Sequence, residues 1–122
     1  MAKREMLNCL EKRDLLNQAV VSLETLSSWG RHYEEAGLAY DAVNFYEKAG
    51  DRDALARLLE SAGRDGDIVL FSRICRILER EVTQEEWLSL SKSAEAAGKY
   101  AFAGEARRRG GVEESSERHE NT

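Results

Sequence analysis

The stretch YEEAGLAYDAVNFYEKAGDRDALARLLESAG, Tyr33 to Gly63, repeats the dipeptide Ala-Gly at Ala36-Gly37, Ala49-Gly50 and Ala62-Gly63, thirteen residues apart each time. Between these marks apolar residues recur at intervals of three and four: Ala42, Phe45, Tyr46 and Ala49, then Leu55, Leu58, Leu59 and Ala62. That spacing places them on one face of a helix. Glycine accepts the left-handed backbone that closes a helix, and a following aspartate accepts amide hydrogen bonds that open the next, as at Gly50-Asp51 and Gly66-Asp67. The dipeptide therefore reads as helix punctuation. The third copy is assigned to a longer turn, AGRDGD, and a fourth, Ala97-Gly98, follows the next long helix.

Outward from this stretch, the 122 residues are 42% hydrophobic and 34% charged with a formal net charge of −5, a balance suited to one globular domain. Proline is absent while Ala, Leu, Glu and Arg abound, which favours helices throughout. The opening MAKREMLNCLEKRD interrupts any targeting segment with charge, and no apolar run approaches the roughly 20 residues that a bilayer requires. Two cysteines, Cys9 and Cys75, make no disulfide framework and suit a reducing, cytoplasmic setting. The acidic balance weighs against nucleic acid, whose phosphates call for clustered Lys and Arg.

A longer self-similarity underlies the punctuation. The nine positions Leu26, Trp29, Gly30, Tyr33, Gly37, Ala39, Ala42, Tyr46 and Ala49 map, 29 residues on, to Leu55, Leu58, Leu59, Ala62, Gly66, Ile68, Phe71, Cys75 and Leu78. A further 32 residues bring them to Trp87, Leu90, Ser91, Ala94, Gly98, Tyr100, Ala103, Arg107 and Gly110. Glycine takes the fifth place each time. With Leu26-x2-Trp29-Gly30-x2-Tyr33, then Ala42-x3-Tyr46, and with Trp87-x2-Leu90, the chain resembles the tetratricopeptide repeat family. It departs from that family in lacking the closing proline, and in the large Leu59 and Phe71 of the middle unit, where the family carries small residues.

The resemblance implies an all-α fold, a right-handed α–α superhelix of about three helix-turn-helix repeats plus an N-terminal helix. The expected hairpins are 23–50, 52–79 and 84–110, after an N-terminal segment 1–22 and before a polar tail 111–122 read as disordered. Hairpins of this length bury their apolar faces only by stacking. Small residues such as Gly30, Ala42 and Ala103 are expected to let paired helices approach, while Trp29, Tyr46 and Trp87 fill the space between pairs. In the N-terminal segment, Met6, Leu7 and Leu10 share a face; residues 3–36 form either two helices with a break near Asp14 or one continuous helix. The initiating Met and the polar tail suggest a complete chain.

Motifs of catalysis and metal binding are missing from the sequence. His32 and His119 are isolated, and neither CxxC, HxxxH nor HExxH occurs. The DGD at 65–67 lacks the spaced ligands of a calcium loop and reads as a turn with a helix cap. Cys75 falls on an apolar helix face, as a buried structural thiol does. The run Arg107-Arg108-Arg109 occupies a last helical turn, where cations offset the helix dipole. The expectation is no enzyme, no cofactor and no metal.

In the tetratricopeptide family the first helix of each pair lines a groove for a peptide or helix. The resemblance carries that role to Glu24, Ser27, Arg31, Glu34 and Glu35, and to Glu85, Leu88, Lys92 and Glu95. Relatives that clamp the carboxylate of chaperone tails use Lys, Asn and Arg, and only Arg31 and Lys92 remain here, so such tails are not the expected ligand. A basic or amphipathic helical polypeptide is, with the chain acting as an adaptor or assembly subunit. The alternative is a homo-oligomer that pairs through an exposed Tyr100 or Phe102 at a solenoid end.

Overall fold

The computed structural model describes residues 6–17 and 22–111, which form seven α-helices and no strand. They are α1 (Cys9–Asn17), α2 (Leu23–Glu35), α3 (Ala39–Ala49), α4 (Arg52–Asp65), α5 (Ile68–Ile77), α6 (Gln84–Ala96) and α7 (Tyr100–Arg109). The protein is all-α over these residues, and it divides after Leu55, inside α4, into two compact units. The tail assignment beyond Gly111 lies outside the described residues.

Helix ends follow the glycine–aspartate punctuation. Gly50 ends α3 with φ +67°, and Asp51 then caps α4 by accepting a 3.2 Å hydrogen bond from the Ala54 amide at Oδ1. Asp67 does the same for α5, accepting from the Leu70 amide at 3.1 Å. The third Ala-Gly corrects the sequence reading. Ala62-Gly63 is not a turn but part of α4, which continues to Asp65, and Gly66 takes the left-handed conformation instead, at φ +69°. Gly63 is helical because Gly66, three residues on, already supplies the residue that a helix stop requires.

In the N-terminal unit α2 packs on α3. Gly30 makes this possible: a Cβ there would lie 2.5 Å from Cε1 of Tyr46, so only a hydrogen fits. Ala42, Phe45 and Tyr46 are fully buried in the same contact. Tyr33 and Phe45 stack with ring centroids 5.3 Å apart, and Trp29 lies 6.4 Å from Phe45. Tyr46 therefore helps to fill the interior of the α2–α3 pair. The apolar body of its ring packs on Gly30 while the hydroxyl donates to Glu34 Oε1 at 2.6 Å.

Helix α1 runs through Asp14 without a break, and α2 begins separately behind its N-cap Ser22, whose side chain accepts from the Thr25 amide at 3.1 Å. A break at Asp14 and a single helix over 3–36 are both ruled out, since Ser22 has the extended backbone of a cap (φ −68°, ψ 149°). No residue of α1 is buried; Met6 and Leu10 are exposed, and Lys12 joins the helix to α3 by an ion pair. Lys12 Nζ pairs with Asp41 at 2.6 Å, and Tyr33 Oη lies 3.2 Å from the Leu7 amide, which donates to it.

In the C-terminal unit α6 packs on α7, and the half-buried Trp87 meets the C-terminal end of α7. A Cβ on Gly110 would stand 2.8 Å from Cβ of Trp87, and the Arg109 guanidinium lies 5.4 Å from the Trp87 ring centroid. The α4–α5 turn rests on α6 at Gly66, where a Cβ would fall 2.4 Å from the Ala94 backbone. Lys99 Nζ donates to the Asp65 carbonyl at 3.0 Å and joins the α6–α7 turn to the end of α4. Ile74, Leu90, Ala94 and Ala106 form the centre of this core.

Candidate functional site

Helix α2 presents a face that its own packing leaves open. Leu26, Gly30 and Tyr33 are buried, and the opposite side carries Glu24, Arg31 and Glu35, all exposed. Leu23, Glu24, Ser27, Ser28 and Arg31 of α2, with Ala49 and Asp51 at the end of α3, line an open depression of about 450 Å³. Three of the expected groove residues thus come together: Glu24, Ser27 and Arg31. Ser27 Oγ donates to Asp51 Oδ2 at 2.9 Å, so the wall is organised by the residue that caps α4. Glu34 and Glu35 stand outside this lining. Glu34 is engaged by the Tyr46 hydroxyl and serves the α2–α3 contact.

The remaining expected residues lie on α6 of the other unit. Thr83 opens that helix with a capping box: its side chain accepts from the Glu86 amide at 3.1 Å, and Glu86 Oε1 accepts from the Thr83 amide at 3.0 Å. Glu85, Lys92 and Glu95 are exposed, and Leu88 is half-buried. The side chains of Glu24, Arg31 and Glu35 on α2, and of Glu85, Lys92 and Glu95 on α6, make no hydrogen bond or ion pair among the described residues. Three other carboxylates on the helices are occupied. Asp41 holds Lys12, Glu105 holds Arg108 at 2.7 Å and Arg109 at 2.8 Å, and Glu86 holds Arg80.

A second concavity, of about 260 Å³, was not foreseen. Leu59, Gly63, Phe71 and Leu90 form its apolar part, with Arg64, Arg80 and Glu86 at its edge. The signal for it was present in the sequence as the two large residues, Leu59 and Phe71, at places where the other repeat units carry glycine, serine or alanine. One edge is organised by Arg80, which bonds Glu86 Oε2 and donates through Nη1 to Cys75 Sγ at 3.2 Å. Burial acts to raise the Glu86 carboxyl, but the bonds from Thr83 and Arg80 outweigh it and hold the group below its ordinary range. The bond to Glu86 in turn raises Arg80.

Cys75 is buried, and burial pushes its thiol up despite Arg80, which makes it a packing group and not a thiolate. In the arginine run, Arg108 and Arg109 pair with Glu105, and Arg107 is half-buried with its Nε unpartnered. No group of three or more His, Cys, Asp or Glu among the described residues could hold a metal ion. No described helix is long and apolar enough to cross a membrane. No protein-family model, curated protein or solved structure matches the chain.

Proposed function

We propose that this protein is a non-enzymatic protein–protein interaction module, an adaptor or assembly subunit, whose helix pairs stack as a tetratricopeptide-like superhelix and take a polypeptide segment on the exposed faces of α2 and α6. The observation that carries this reading is the open α2 depression, in which the side chains of Glu24 and Arg31 have no partner among the described residues and stand beside the exposed Leu23. A face with free charges of both signs and an apolar lip suits an amphipathic helix. The excess of acids, Glu24 and Glu35 against Arg31 on α2 and Glu85 and Glu95 against Lys92 on α6, favours a basic one.

Affinity capture from a lysate followed by binding assays with the purified partner tests the proposal. Glu24→Lys is expected to weaken capture about tenfold or more, and Arg31→Glu, which adds to the acid excess, to strengthen capture of a basic segment. Capture that is unchanged by both reversals removes the α2 face from the site.

A further inference from the structure

The charges on α2 have a property that the partner reading does not use: they complement themselves. Glu24 and Arg31 are seven residues apart, which sets them on one stripe of the helix about 10.5 Å apart along its axis. Neither side chain has a partner among the described residues. The residues three and four positions after Glu24 are Ser27 and Ser28, so no cation lies within intrahelical reach of it on that side. Midway between the two charges are these same serines, small side chains on the open face and part of the lining of the depression.

We infer that a second copy of this chain docks antiparallel on α2, with Glu24 of each copy facing Arg31 of the other across a two-fold axis at Ser27 and Ser28. An antiparallel pair placed at that midpoint brings residue 24 opposite 31 and 27 opposite 28, so a single contact yields two ion pairs. The serines at the crossing allow close approach of the helices. Leu23, exposed to 61%, adds apolar area at the margin. An isologous contact of this kind closes at the dimer and does not grow into a filament. Antiparallel packing also sets the two helix dipoles in opposition, with each copy's acid near its own N-terminus and each cation further towards its C-terminus.

The matching stripe on α6, Glu85 and Lys92, has the half-buried Leu88 at its centre in place of a second serine. It is the internal control. The inference is independent of an external partner, although both use Arg31, so dimerisation and partner capture compete for one surface.

Sedimentation equilibrium of the purified chain alone tests it. Because exposed ion pairs are individually weak and screened by salt, the dimer is expected between about 0.1 and 1 mM at low ionic strength and is lost on adding salt. Arg31→Glu and Glu24→Arg, each alone, raise the dissociation constant at least about tenfold. An equimolar mixture of the two variants restores the dimer, since the chain with two acids meets the chain with two cations, and so does the double variant Glu24→Arg/Arg31→Glu by itself. Lys92→Glu leaves the equilibrium unchanged. Three results overturn the inference: a wild-type chain that stays monomeric to about 1 mM, a dimer indifferent to the single reversals, or variants that remain monomeric when mixed. Circular dichroism melts of the variants separate a lost interface from a lost fold.

Discussion

In the N-terminal unit the glycine at the helix contact, Gly30, meets the ring of Tyr46, whereas in the C-terminal unit Gly66 meets the backbone of Ala94. A ring at the end of a side chain can be replaced by a smaller one; a helix backbone cannot. The two units thus solve the same problem, bringing helices close, with different tolerance for change. The N-terminal contact is a matter of paired side-chain volumes. The C-terminal one depends on a turn residue that combines a left-handed backbone with no room for a Cβ. In the middle hairpin the volumes are exchanged: Leu59 stands in the place of Gly30, and Cys75 in the place of Tyr46.

The sharpest test of this difference is Gly66→Ala. Strain at φ +69° adds to the collision with Ala94, and a loss of about 3 kcal/mol or more is expected by chemical denaturation. Gly98→Ala isolates the backbone part, because φ is +77° there but nothing lies within 4 Å of the added carbon; about 1 kcal/mol is expected. Equal losses at the two positions would erase the distinction drawn for Gly66.

Gly30→Ala comes next, at about 2 kcal/mol, since the fully buried Tyr46 ring must shift by more than half an ångström. Combining it with Tyr46→Leu is expected to recover part of that loss, because the added methyl then has space. No recovery would show that the Gly30 contact is not a side-chain volume effect.

The smallest effect concerns pH. The folded-state carboxyl of Glu86 is held below its ordinary value of 4.5, so the stability it contributes is complete above that value and disappears as pH falls through the lowered one. Glu86→Gln should therefore lower stability by about 1 kcal/mol at neutral pH, with the gap to wild type closing below about pH 4. A gap that stays constant from pH 7 to about 3 would mean that the charge of Glu86 contributes nothing.

Much of the fold was legible along the chain because its causes are local. Apolar spacing of three and four marks helices, and glycine followed by aspartate marks their ends; Asp51 and Asp67 cap the helices expected of them. The close approach at Gly30 was legible too, since a glycine in mid-helix beside aromatic positions has few other uses. The third Ala-Gly misled because its dipeptide matches the other copies, whereas the helix stops at Gly66, the glycine that an aspartate follows. Leu59 and Phe71 stood out as departures from a repeat, but nothing local tells that their side chains border a concavity.

The sequence by itself determined that the chain is helical, where most of its helices begin and end, and which side of each is apolar, since these follow from backbone geometry and periodicity within a few turns. Only the tertiary structure decided which charges are consumed and which are free. Glu34 and Glu35 are neighbours with the same chemistry, yet Tyr46, folded back from the next helix, engages one and leaves the other in solvent. Pairing of this kind depends on distances between residues remote in sequence, and those distances exist only once the helices have packed.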